Sequence, residues 1–249
     1  MKALLSSTYF GPIQWYQKLN RYDECLIERH ESFIKQTYRN RMIIPTTNGP
    51  LSLTIPTNHD ISLSMKDIRI SDHANWRHVH WNALLSAYGE SPFFEYYQDD
   101  IRPFYEKKYE FLFDFNMETT EKMIELLDIR PKISITEEYI LSEERRVKSE
   151  ESEERRVKSE ETTFGGQGES QFDSIADHKV QSSNLKVQSK EVQSIVDFRD
   201  AIRPKKPLPD AEFVPKRYYQ VYGQKHGFQT NMSILDLLFN EGNEAIFYL

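Results

Sequence analysis

The sequence predicts a mixed α/β domain, with α+β as the alternative: a small mixed sheet carrying a β-hairpin and covered by several helices. Three observations lead there. Short apolar runs of strand length precede segments with helical periodicity. A turn signal, Asn48-Gly49, separates two apolar runs. Gly and Pro stand where strands hand over to helices.

The elements follow in order. Residues 2–7 (KALLSS) read as a short strand. Gly11-Pro12 opens a helix to about Tyr22, with Pro at the first helical position, where its missing N–H costs nothing. Glu24–Glu28 (ECLIE) is a second strand. Arg41–Ile44 and Leu51–Ile55 flank the turn TTNGP as a hairpin, and Ile68–Ile70 is a further strand candidate. A helix starts at Asp72 or His73 and runs to about Tyr88, stopped by Gly89. Pro92–Tyr105 and Tyr109–Leu127 read as two more helices, with Pro103 near the junction and Asn116 or Thr119 as a cap. Asn231 or Ser233 caps a last helix, SILDLLFN, and Gly242 lies just past it.

Composition sets the domain limits. Of 32 aromatic residues in 249, only Phe164, Phe172 and Phe198 fall in 141–200. Half of that stretch is Ser, Glu, Gln or Lys, too little apolar surface to offset the entropy of ordering it. The decamer SEERRVKSEE stands at 142–151 and again at 152–161, and KVQS, KVQS and EVQS follow at 179, 186 and 191. Each decamer holds one apolar residue, so it has nothing to stack as a solenoid would. We therefore expect three parts. Residues 1–137 are the first portion of one α/β domain. Residues 138–209 are a low-complexity, disordered insert with a Pro-rich exit. Residues 210–249 are too few to fold alone and dock on the first portion. A charged partner-docking arm is the other reading of the insert.

The net charge is −7 and the sequence pI about 5.6. Such a chain lacks the basic surface that nucleic acid requires. A single cysteine, Cys25, excludes an intrachain disulfide. No signal-peptide core and no 18-residue apolar run occurs, so a cytoplasmic protein without a membrane span is expected. No P-loop, GxSxG or DxD occurs, and GGQG at 165–168 stands in the insert rather than between strand and helix.

Candidate chemistry concentrates in three places. In His30–Arg41 (HESFIKQTYRNR), an extended chain puts Lys35, Thr37, Arg39 and Arg41 on one face. Cations so gathered suit a phosphate or carboxylate, or else they pair with Glu28 and Glu31. In WRHVHWNALLSAYGESPFFEYY, residues 76–97, a helix aligns Trp76, His80, Leu84 and Tyr88. His80 there is either a general acid or base, or a core histidine bonded to backbone. His78 and His80 diverge on a helix and have no third ligand at metal spacing, so no metal site is expected, and no cofactor is assigned. At the start, Tyr9 projects where the first strand ends at the Gly-Pro turn.

Taken together, LLSSTYFGPIQWYQKL, KQTYRNRMII with NGPLSLTIP, the 76–97 segment and YYQVYGQKHGFQTNMSILDLLFNEG resemble the WbqC-like family. The resemblance covers about 1–130 and 213–249. The positions matching the family's patterned residues are Tyr9, Pro12, Lys35, Asn40, Arg41, His80, Tyr88, Ser233 and Asp236. The family's leading Gln-Pro is absent before Thr8-Tyr9. The resemblance implies a bacterial setting in O-antigen and other surface-polysaccharide biosynthesis loci, and it carries no catalytic residue with it. Two expectations result. One is a group-transfer or modifying enzyme whose Lys35, Arg39 and Arg41 hold a phosphorylated or acidic sugar intermediate, with His80 as acid or base and Tyr9 and Tyr88 lining the pocket. The other is a noncatalytic accessory protein that docks a protein partner of the assembly machinery.

Overall fold

In the computed structural model, residues 1–58, 63–141 and 195–249 are described. They form a mixed α/β unit around a four-stranded parallel sheet of order β7-β2-β1-β8. β1 (Lys2–Ser6) lies inside that sheet, and its Ala3, Leu4 and Leu5 are all fully buried, as befits a parallel strand covered on both faces. α1 (Ile13–Arg21) carries the chain to β2 (Glu24–Glu28), which pairs with β1 from Lys2 opposite Glu24 to Ser6 opposite Glu28. The antiparallel hairpin β3 (Arg41–Thr46) and β4 (Gly49–Thr54) stands apart from the sheet, as does the two-residue pair β5 (Thr57–Asn58) and β6 (Arg69–Ile70). Helices α2 (Trp76–Tyr88), α3 (Phe94–Ile101), α4 (Pro103–Glu106) and α5 (Leu112–Leu126) follow. β7 (Ile133–Ile135) then joins β2, and β8 (Ile195–Asp197) joins β1 from the other side. The chain closes with α6 (Gly223–His226) and α7 (Ile234–Glu241).

Several local readings are corrected. Pro12 is the residue before α1, extended at φ −69° and ψ 159°, rather than its first helical residue. Gly11 is required there, because a Cβ would meet the Thr8 hydroxyl at 2.3 Å. The hairpin turns on Thr47-Asn48, and Gly49 already pairs with Thr46 while holding a φ of 98°. Asp72 does not start a regular helix: Ala74 and Asn75 are left-handed, and α2 begins only at Trp76. Asn116 and Thr119 are interior to α5. Asn116 donates to the Ser7 hydroxyl and the Arg39 carbonyl, and Thr119 donates back to the Asn116 carbonyl.

The stretch 138–209 also reads differently. Its last part contributes β8 and the buried Phe198, Arg199, Ala201 and Ile202. The buried Glu28 carboxylate accepts from the Ile140 amide, while Arg199 donates to the Ile140 carbonyl and lies 3.6 Å from Glu28. The decamer repeats and residues 142–194 as a whole lie outside the described residues.

Residues 210–249 pack against α1. Ile13 donates to the Met232 carbonyl, Gln14 binds Asn231 and Asp210, and the buried Lys18 ammonium meets Asp210 and Glu212. The Ser233 hydroxyl caps α7 by accepting from the Leu235 amide. α1 is thus buried on nearly all sides, with Gln14, Gln17 and Lys18 enclosed beside Trp15 and Tyr16.

Candidate functional site

β1 has β2 on one side and β8 on the other, so the crevice at its carboxyl end is a place where strand order reverses. Open α/β sheets commonly take ligands at such a point. Here the crevice is closed. Ser6, Thr8, Tyr38, Arg39 and Arg199 surround a cavity of about 10 Å³, room for one water. Arg39 is 2% exposed and its guanidinium is fully engaged: Nε and Nη2 donate to the two oxygens of Glu31, Nη1 to the Thr37 hydroxyl and Nη2 also to Ser6. Arg39 and Arg199 face three carboxylates, Glu28, Glu31 and Asp197. Two cations against three anions make a poor clamp for a further anion.

The segment 31–40 explains the difference from an extended reading. It forms turns rather than a strand, with Gln36 left-handed at φ 62°. Lys35 is exposed, Arg39 points into the interior, and Arg41 stands on β3 with its Nε donating to the Thr54 hydroxyl. These residues do not share a face.

Tyr9 leads to a second polar centre. It is fully buried just past β1, and its amide donates to the Tyr38 carbonyl. Its hydroxyl is 2.9 Å from His80 Nδ1 and 2.8 Å from the Tyr105 hydroxyl. The Thr54 backbone lies beside the His80 ring as well. The Tyr9 hydroxyl thus bridges Tyr105 and His80 in one hydrogen-bonded row. Burial lowers the His80 pKa to about 4, so the ring is neutral near pH 7. Burial likewise raises Tyr9 well above the ordinary phenol value, and Tyr105 rises with it. Trp76 packs edge-on to His80, and Phe115 tilts against Tyr9. Thr54 thus meets both His80 and Arg41, which brings these two candidates together.

Tyr105 also lines an open cleft of about 320 Å³ between α2 and α4. Arg77, His78 and Trp81 from α2 and Arg102 and Lys108 from the α4 side complete it. Arg77 stacks on Trp76 at 4.6 Å, and Trp81 lies 5.9 Å from Tyr105. Arg77 and Lys108 both bind the exposed Asp72 carboxylate, and Arg102 binds Glu106 one helical turn on. Three cations against two exposed carboxylates leave a basic cleft on an acidic chain. Among the described residues, Arg77 Nε and Nη2 have no hydrogen-bond partner. None of Arg77, Trp81, Arg102, Tyr105 and Lys108 stands out in the sequence. The available signal was the i,i+4 spacing of Arg77 and Trp81 on α2.

Tyr88 goes elsewhere. It lies eight residues along α2 from His80, about 12 Å by helical rise, packed on Phe239. Burial, and then the neighbouring Asp236 carboxylate, raises its pKa. Asp236 is itself fully buried. It accepts from Tyr218 and Gln220, and burial lifts its pKa to about 6. Cys25 is buried, with its thiol pushed up to about 12 by burial. Among the described residues no group of three or more His, Cys, Asp or Glu is arranged to hold a metal, and no helix is long and apolar enough to cross a membrane.

Comparison with known proteins adds a family to this geometry. The chain is 25% identical to the uncharacterized protein Rv1507c of Mycobacterium tuberculosis, over 99% of this chain and 96% of the relative. No solved structure matches. The sequence pattern of the WbqC-like protein family matches residues 7–194, about three quarters of the chain, and spans Tyr9, Arg77, His80 and Tyr105. The chain belongs to the WbqC-like protein family.

Proposed function

We propose that this protein is a cytoplasmic enzyme of bacterial surface-polysaccharide biosynthesis that modifies, or transfers a group to or from, an anionic or phosphorylated sugar intermediate. The observation that carries this reading is the basic cleft between α2 and α4, whose floor residue Tyr105 begins the hydrogen-bonded row to Tyr9 and His80. Arg77, Arg102 and Lys108 receive the anionic group, and the partly buried Trp81 walls the cleft beside them. In this reading His80 Nδ1 accepts from Tyr9, Tyr9 accepts from Tyr105, and Tyr105 faces the cleft. Its oxygen is then left to accept from a substrate hydroxyl, and His80 is the neutral base at the far end. Lys35 and Tyr88 have no part in this reading. Arg41 supports it by holding Thr54 beside His80.

The test is binding, measured by thermal shift and calorimetry with glucose 1-phosphate, inorganic phosphate and nucleotide-linked sugars. Saturation by a ligand at 100 times its dissociation constant adds about 2.7 kcal/mol. Arg102→Ala should weaken that ligand without lowering the melting temperature of the free protein, because its ion pair is exposed. Absence of a shift with every anion would sink the enzyme reading and leave the noncatalytic docking protein in its place.

A further inference from the structure

We infer that the ligand of the α2–α4 cleft is a nucleoside diphosphate, free or as the carrier half of a nucleotide-linked sugar. This rests on the cleft being the substrate site. Three features of the cleft point beyond a single phosphate.

The cations fall into two groups. Arg77 and Lys108 share one carboxylate, Asp72, and Arg102 holds a second, Glu106. Both carboxylates belong to exposed side chains, 52% and 60% accessible, so they can swing into water at little cost. Each occupies the position that a phosphoryl oxygen would take. With both displaced, three cations remain. They match the roughly three negative charges of a free nucleoside diphosphate; a nucleotide-linked sugar, like a monophosphate, carries only about two, so the free nucleotide is the better match.

Arg77 is set for such an exchange. Its guanidinium plane is held over Trp76, its Nη1 holds Asp72, and its Nε and Nη2 have no partner among the described residues. Buried N–H groups are rarely left unmet in a ligand-bound state. An arginine whose plane is fixed and whose Nη1 is held only by an exposed carboxylate suits the exchange of that carboxylate for a phosphate oxygen.

The third feature is Trp81. It lies one turn along α2 from Arg77 and packs on Tyr105 and Phe94 at ring separations of 5.9 and 6.2 Å. Trp15 and Trp76 are 1% and 4% exposed, whereas Trp81 is only partly buried. An indole wall beside two phosphate positions is a surface on which a nucleobase stacks. A cleft of about 320 Å³ is of the size that takes such a ligand.

The experiment uses the full chain, with tryptophan fluorescence and calorimetry. The probes are UDP, ADP, UMP, UDP-glucose, pyrophosphate and glucose 1-phosphate at low salt without added metal. A nucleoside diphosphate should quench Trp81 fluorescence and bind at least tenfold tighter than UMP, pyrophosphate or glucose 1-phosphate. Comparison of UDP with UDP-glucose tells the free nucleotide from the sugar carrier. Arg77→Ala or Arg102→Ala should weaken it at least tenfold. Asp72→Asn should tighten it severalfold, because the competing carboxylate is gone, an effect that a purely structural Arg77–Asp72 pair would not give. Trp81→Leu should abolish the quench. Should that variant fail to fold, the comparison of UDP with pyrophosphate on the unaltered chain decides the role of the base. If glucose 1-phosphate binds as tightly as UDP, the nucleoside inference falls and the anionic-sugar reading stands. If no phosphorylated probe binds, both fall.

Discussion

His80 and Asp236 should make opposite contributions to stability over the same pH range, and substituting either one should expose the other. The His80 pKa falls from 6.5 to about 4 on folding, through burial. Between those values the unfolded chain binds a proton that the folded chain does not, so stability rises with pH, is complete above about 6.5 and is lost on acidification towards 4. The Asp236 pKa rises from 3.8 to about 6, also through burial. Between those values the folded chain holds the extra proton, so stability falls as pH rises and the contribution is present at the acid end. Each slope is about 1.4 kcal/mol per pH unit. Going from about pH 6.5 to about pH 4.5, His80 therefore costs about 2 kcal/mol and Asp236 returns about 2 kcal/mol. The carboxylates with lowered values, Glu24 and Asp210 among them, lose their contribution only below this window. The unaltered protein should be nearly flat across it. Asp236→Asn should lose about 2 kcal/mol on acidification, a fall in Tm of about 4–8 °C at this chain size, while His80→Asn should gain a similar amount. Urea unfolding at pH steps across the window, each variant compared only with itself, reads these slopes. Flat profiles in both variants would refute the argument, because neither group would then change protonation on folding.

Three further outcomes are expected. Arg39→Ala should cost about 3–5 kcal/mol, because it leaves the buried Glu31 carboxylate unpaired, and Glu31→Gln in that background should recover part of the loss. A normal melting temperature with lost anion binding would instead make Arg39 a ligand residue. Tyr9→Phe should cost about 1–3 kcal/mol, since His80 Nδ1 and the Tyr105 hydroxyl both lose their partner. Chemical denaturation would show a smaller effect if the two regroup. Cys25 should resist a thiol reagent at pH 8 until the protein unfolds, and rapid stoichiometric labelling of the native chain would contradict its burial.

The first half of the fold was readable where pattern and punctuation agreed. The hairpin and the start of α1 pair an apolar run with a Gly, Pro or Asn at its bound, β1 and β2 are plain apolar runs of strand length, and the structure places all of them within a residue or two of the expected bounds. β7 and β8 were not readable, because three-residue strands leave no period to detect. β8 was further hidden by the polar stretch before it. Its place in the sheet depends on pairing with β1 and on Arg199, neither visible locally. The candidate site divided in the same way. Tyr9 and His80, singled out from a strand end and a helix stripe, are hydrogen-bonded to each other. The cations of the cleft come from separate helices, and only the packing of α2 on α4 assembles them. Arg39 does not share a face with Lys35 and Arg41, because alternation implies a shared face only in extended backbone, which the turn at Gln36 breaks.

The fastening of Ile140 by Glu28 and Arg199 bears on how this gene tolerates change. The chain enters the 53-residue stretch 142–194 just after Ile140 and leaves it into β8, and both points are tied to the same buried pair. A change at Glu28 or Arg199 therefore acts on both flanks of that stretch at once: it should release the Ile140 end beside β7 and loosen β8 from β1 together, rather than disturb a single strand.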